Sequence, residues 1–340
     1  MNKTKLQSMA FKFKNLLILL VLMTVLTILL PNIFLTTANF KSIFLAISIY
    51  GIMVCGTIYT ILLGGIDLSV GGVAAMSGAA TVLIVNSGSA NSVVIAGIFA
   101  GLAVGVLAGL SHGLLLANFQ VPAFLVTLAS QSIMYGIAQL ITNNQLISCL
   151  WSDIFNFLGG GRLLGISFSI YILVLCAISS YLLLNFTTFG RSVYIVGGNR
   201  VASELSGISS KKVIILAYTI SGFTAALAGI VLASMNQQAF SRAAQGYEND
   251  VLTAIVVGGT SLMGGEGSLQ GAMYGALLVS IINNGLRLLG VPPTYHSVVK
   301  GLVIIIAVSL DCYSRYINSG LKQKTSMTNF FSRTKRKPIA

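Results

Sequence analysis

Ten apolar runs, parted by short breaks, decide what this chain can fold into. They lie near residues 16–30, 42–63, 69–86, 91–117, 122–142, 168–188, 213–235, 251–262, 267–290 and 295–312. A membrane span needs about 20 apolar residues, and most of the runs reach that length; 251–262 is marginal. Only 8% of the chain is charged, against roughly 25% in soluble domains. A core in water cannot hide so much apolar surface, so lipid must be the solvent. The expected fold is an all-α integral membrane protein of about ten transmembrane helices. The first run, Leu16–Leu30, reads as an uncleaved span. A signal peptide would need a cleavage site, and Thr36–Asn39 makes a poor one.

The net charge of +13 could suggest nucleic acid, but its distribution argues otherwise. Fifteen of the twenty basic residues form three blocks: Lys3, Lys5, Lys12 and Lys14; Arg191, Arg200, Lys211 and Lys212; and Arg315, Lys322, Lys324, Arg333, Lys335, Arg336 and Lys337. Basic residues beside spans stay in the cytoplasm. Ten crossings put both termini on one side, and six put residues 190–212 there too. The chain then divides into a basic cytoplasmic N-terminus (1–15), a transmembrane domain (16–312) and a basic cytoplasmic tail (313–340). If 251–262 were only re-entrant, the last block would face outward.

The stretch 190–212 carries its own local instructions. Asn199 can cap a short helix and Gly207 can end it. Val201 and Leu205 then share one face, and Arg200 pairs with Glu204 on another. Such a helix, about seven residues and ~10 Å long, is too short to span and fits a groove on a partner protein. The plainer reading is a solvated loop with one helical turn.

Glycine appears in two further patterns. Gly97, Gly101, Gly105, Gly109 and Gly113 recur every four residues, as do Gly267, Gly271 and Gly275; small residues on one stripe let helix backbones approach, and static packing is the expected use. Two cytoplasmic glycine turns also stand out. One holds Gly64, Gly65, Asp67 and Ser69, where Asp67 or Ser69 can cap the next helix; the other holds Gly258, Gly259, Gly264 and Gly265.

Much chemistry is missing. The seven acidic residues are Asp67, Asp153, Glu204, Glu248, Asp250, Glu266 and Asp311, and by the runs above none lies mid-span, where ion-coupled carriers place one. No Gly-Lys pair exists for a phosphate-binding loop, and neither GxSxG nor HExxH occurs. Cys55, Cys149, Cys176 and Cys312 are scattered without a CxxC, so no metal site is expected. His112 and His296 read as packing or hydrogen-bonding residues. The spans carry amides instead, and Gln131, Asn144, Asn236, Gln237, Asn283 and Asn284 are candidates for a solute path. Neutral amides suit an uncharged, polyhydroxylated solute, since each can exchange water for a hydroxyl. Interhelical hydrogen bonding is the alternative use.

Five segments occur in a telling order: GGIDLSVGG, VPAFLVTLAS (Val121–Ser130), GRSVYIVGGNRVASELSGI, GYENDVLTAIVVGGTSLMGGEGS (Gly246–Ser268) and Asn283–Val291. Over roughly residues 42–312 the chain resembles the membrane permease subunit of bacterial ATP-binding-cassette sugar importers, the ribose/xylose/autoinducer-2 group of the branched-chain-amino-acid permease superfamily. Glu266 and Arg287 depart from the pattern. The resemblance implies a multi-pass inner-membrane protein that is not itself an enzyme and works as a homodimer or with a paralogue. It implies a cytoplasmic ATPase that uses the ATP, so that this chain binds no cofactor, and an extracytoplasmic solute-binding protein that delivers a ribose-like monosaccharide or related polyol. Arg191, Asn199, Arg200, Glu204, Leu205 and Gly207 become the expected ATPase contacts. Separately, from shared cytoplasmic placement alone, Asp67 is expected to brace this region through one of its arginines. Branched-chain amino acids or nucleosides as cargo, a stand-alone facilitator, and an intramembrane enzyme are the competing readings; the last lacks a nucleophile–base set.

Overall fold

The computed structural model describes residues 19–292, apart from 89, 120 and 150–151, and scattered positions as far as 309. The basic N-terminus (1–15), the tail (313–340) and most of the 295–312 run lie outside the described residues. Among those described, the chain is almost wholly helical. After α1 (Leu19–Leu29) come α2 (Thr37–Leu62), α3 (Val70–Val85), α4 (Asn91–Phe119), α5 (Ala123–Ile141), α6 (Asp153–Gly160), α7 (Phe168–Phe186), α8 (Thr188–Gly198), α9 (Arg200–Leu205), α10 (Ser210–Asn236), α11 (Tyr247–Val257) and α12 (Leu269–Leu288). Two small hairpins interrupt them: β1 (Ile147–Ser148) pairs antiparallel with β4 (Gln238–Ala239), and β2 (Arg162–Leu163) with β3 (Ile166–Ser167). Each of the first nine apolar runs carries a helix, as expected of a multi-span all-α membrane protein.

Side-chain caps start several helices where the sequence places a hydroxyl or amide. Thr36, Thr187, Asn199 and Ser268 accept backbone N–H groups of α2, α8, α9 and α12, satisfying donors that a helix leaves unpaired. α2 and α10 form the buried centre, and α4, α5 and α7 present broad apolar faces outward.

The glycine stripe of α4 is the seam of the bundle. A Cβ on Gly105 would strike the carbonyl of Gly222, and one on Gly109 or Gly113 the backbone at Tyr218 or Ile215, all on α10. Higher up, Gly97 and Gly101 lie against the α3 backbone at Thr81 and Ser77. The second stripe does the same for α11 and α12, where Gly271 meets Gly258 and Gly275 meets Ala254. The packing use of the first stripe is thus realised, and of the second at Gly271 and Gly275; Gly267 lies before α12, against the Thr260 side chain.

The loops sort by end as alternate crossings require. β1 and β4 bring together the loops after α5 and α10, and Asn86 after α3 donates to the Ser148 carbonyl at 2.9 Å. At the opposite end the tips of α2 and α8 and the second glycine turn meet.

One crossing differs from expectation. The 251–262 run was read as a short span, with no acidic residue at mid-depth. Its helix, α11, begins at Tyr247 and has 11 residues, about 16 Å, half of the ~30 Å hydrocarbon core. The Tyr247 ring packs against Tyr50, near the middle of α2, at a centroid distance of 4.9 Å. The other half of the crossing is therefore the largely non-helical 237–246, and Glu248 and Asp250 sit in the first turn of a half-helix deep in the protein. Gly246, at φ 88°, turns the chain into it. Hydropathy missed this because only the inner half of the crossing is apolar.

Candidate functional site: a short docking helix on a glycine junction

α9 is assembled by local chemistry. The Asn199 Oδ1 accepts the Ala202 N–H at 2.9 Å, and the helix stops after six residues. Gly207 adopts φ 81°, and the Ile208 N–H returns to the Ser203 carbonyl at 3.0 Å, the left-handed stop glycine allows. Arg200 and Glu204 lie 3.5 Å apart, and the Ser210 hydroxyl donates to the Glu204 carboxylate. Arg191 and Asn199 are exposed. Val201 is 70% and Leu205 85% exposed: two large apolar side chains one helical turn apart, facing away from their own protein.

That bond from Ser210, the first residue of α10, and then the Arg200 and Lys211 charges hold the Glu204 carboxyl below its usual range. A depressed folded pKa gives stability that is whole above the unfolded value and lost as pH falls through the folded one. Amide protection at Ala202–Ile208, taken relative to the intrinsic exchange rate at each pH, should therefore be constant down to the ordinary glutamate value of 4.5 and fall below it. Glu204→Gln should remove that step.

α9 stands on a junction of backbones. The Gly265 N–H donates to the Leu62 carbonyl at 2.8 Å. A Cβ on Gly264 would lie 2.8 Å from Gly197 O and from Gly64 N, and one on Gly265 2.8 Å from Gly198 Cα. Gly64, Gly264 and Gly265 also hold φ of 76°, 82° and 75°, which L side chains rarely adopt. The tip of α2, both glycine turns and the end of α8 are thereby pressed together, and the Tyr194 hydroxyl adds a bond to the Gly267 carbonyl at 3.0 Å. Motion of α9 would reach α2 and α11–α12 through contacts too close for side chains to cushion. Gly258 and Gly259 belong to the same turn, Gly258 against Gly271 of α12.

Asp67 does not brace this region through an arginine. It is buried, its Oδ1 accepting the Ser69 N–H (3.0 Å) and hydroxyl (2.6 Å), its Oδ2 the Ser221 hydroxyl of α10 at 2.7 Å. The expectation fails because Asp67 points between α3 and α10, while Arg191 lies at the surface and Arg200 engages Glu204. Thr127 completes the fastening of this turn, accepting the Leu68 N–H and donating to the Ile66 carbonyl, each at 3.1 Å.

The amides expected along a path scatter. Asn283 donates to the Tyr50 hydroxyl (3.4 Å) and Asn284 to Asn39 Oδ1 (2.8 Å), so both join α12 to α2. Asn236 ends α10, Gln237 takes its left-handed cap, and Asn144 lies in the turn after α5 with φ 54°. Gln131 lines a polar cavity between α5 and the 237–246 segment. Its partners there, Tyr135, Arg242 and Glu248, were missed; the signal was the four-residue spacing of Gln131, Tyr135 and Gln139. Asn284→Ala should cost about 1 kcal/mol, as interhelical amide bonds do in membranes, measured by thermal unfolding in detergent. His112 serves packing, its Nε2 lying 2.6 Å from the Ser130 hydroxyl of α5.

A multi-span helical protein, with a short capped helix projecting from one end and no nucleotide-binding loop in its sequence, has the build of a transport-system membrane subunit. Residues 39–308 match the family described as the branched-chain amino acid transport system / permease component, and the chain belongs to it. It is 38% identical to the ribose import permease protein RbsC of Escherichia coli (strain K12) over 301 residues, 88% of this chain and 92% of that protein. Against the ribose import permease protein RbsC of Bacillus subtilis (strain 168) the identity is 37%, covering 86% and 90%. Against the L-arabinose transport system permease protein AraH of Escherichia coli (strain K12) it is 35%, covering 89% and 91%. No solved structure matches.

Proposed function

We propose that this chain is the inner-membrane permease subunit of an ATP-binding-cassette importer for a neutral, ribose-like monosaccharide. The likeness to ribose and arabinose permeases along nearly the whole chain supports this reading over an amino-acid cargo. A separate cytoplasmic ATPase binds and hydrolyses the ATP and docks on α9, with Leu205 and Val201 as its apolar anchors and Arg191, Asn199, Arg200 and Glu204 around them. An extracytoplasmic binding protein hands sugar to the opposite end. Closure of the ATPase pair drives α9, and the glycine junction passes the displacement to α2 and α11–α12, whose packed interfaces shift between discrete arrangements.

A second permease copy, identical or paralogous, completes the path. The outward face of α5 mixes Leu128 and Ile133 with Ser132 and the half-buried Gln139; polar groups are expensive against lipid and mark a bundle interior or aqueous cavity. In proteoliposomes holding this chain, its ATPase and its binding protein, ribose should accumulate on ATP addition. Omitting the ATPase should abolish accumulation; if sugar still concentrates against its gradient, the chain is a carrier and this reading is wrong.

A further inference from the structure

Resting on that reading, we infer that the cavity between α5 and the 237–248 segment is a solute-binding station for one uncharged, polyhydroxylated molecule of monosaccharide size. The cavity measures about 310 Å³, at the small end of the roughly 300–1,000 Å³ of small-molecule sites. Gln131, Tyr135 and Gln139 enter from one face of α5; Arg242, Gln245 and Glu248 enter from the other side. The last of these starts the half-helix α11, at the level of the Tyr50–Tyr247 contact, so the cavity reaches into the interior of the bundle.

Beneath its wall, Tyr135 Oη and Glu248 Oε2 are buried without a hydrogen bond of good geometry, the Gln131 side chain beside both, and under-satisfied buried polar atoms are costly. Both lie over Gly71 in the first turn of α3: a Cβ there would come within 2.9 Å of Tyr135 Oη and collide with Glu248 Oε2. Glycine thus leaves the space in which a phenol and a carboxylate stand side by side. A sugar hydroxyl both donates and accepts, so a solute in the cavity can pair with the Gln131, Gln139 and Gln245 amides and draw the Tyr135 hydroxyl and the Glu248 carboxylate out of the wall toward its neighbouring hydroxyls. Arg242 and Glu248 carry opposite charges, leaving the lining near neutral.

A zwitterionic amino acid could pair with that arginine and glutamate. A branched-chain side chain would also need an apolar wall, and no Leu, Ile, Val, Phe or Met lines the cavity. The lining therefore favours a molecule polar on all sides.

The test uses the assembled transporter. Ser132, exposed at the cavity, is replaced by cysteine, and its maleimide labelling, less that of the wild-type thiols, is followed with D-ribose or L-leucine at millimolar concentration. Ribose should slow the labelling and leucine should not. Separately, Tyr135→Phe and Glu248→Gln should still co-purify with the ATPase yet lower ATP-driven ribose uptake at least about tenfold, the scale of losing one hydrogen bond to a charged group. Should Ser132→Cys label equally with and without ribose, or be protected by leucine instead, the assignment is overturned; so it is if both variants take up ribose within about twofold of wild type. These results leave the transporter reading intact. Wild-type transporter that moves no sugar at all would instead sink the transporter reading, and this one with it.

Discussion

Gly109→Leu is expected to prevent stable folding of this protein, while Gly136→Ala, on a neighbouring helix, leaves it unchanged. A Cβ on Gly109 would lie 2.9 Å from Thr219 Cα and collide with the Tyr218 carbonyl, both backbone atoms of α10. Backbone cannot rotate aside as a side chain can, so α4 must move away from α10. Overpacking a well-filled interior costs about 1–3 kcal/mol for added methylenes, and leucine adds a whole isobutyl group at the seam. Gly105, against Gly222, repeats the contact one turn along, so parting the helices at one point opens both. A Cβ on Gly136 meets nothing within 4 Å. Size-exclusion profiles and thermal unfolding in detergent should show Gly109→Leu aggregated or melting far below wild type. Gly109→Ala should fall between, and a wild-type melting temperature for the leucine variant would refute the seam.

What could be read in advance was local or periodic. The Asn199 cap and Gly207 stop act within a few residues, so α9 was legible almost to its ends. The four-residue glycine repeat reports a helix face whatever lies opposite, so its packing use was legible though its partner was not. Depth and partnership were not legible. Tyr50 stands nearly 200 positions before Tyr247, and their contact, not any local signal, shows that α11 is a half-helix beginning inside the bundle. Asp67 finds Ser221 the same way, 154 positions on in the sequence. Asn283 and Asn284 carry the amides a sugar path needs, yet the packing of α12 on α2 commits their NH2 groups to Tyr50 and Asn39.

Leu205→Asp should uncouple transport without disturbing the fold. Leu205 is 85% exposed, so it contributes almost nothing to the stability of its own chain. α9 is held by the Asn199 cap, the Gly207 stop and the Arg200–Glu204–Ser210 contacts, none of which involves Leu205. An aspartate there faces solvent in the isolated permease, and its melting temperature should stay within about 1 °C of wild type, as for surface changes of within ±0.5 kcal/mol. In the assembled transporter the same position would lie in a partner groove. Losing a buried anchor costs 2 kcal/mol or more, at least about thirtyfold in affinity, and burying an unpaired carboxylate adds to it. ATPase co-purification should drop accordingly and ATP-driven uptake fall to background, while Leu205→Met retains both because it keeps the apolar volume. A variant that loses transport while binding the ATPase normally would shift the role of α9 from docking to transmission. One that keeps both would remove α9 from the interface.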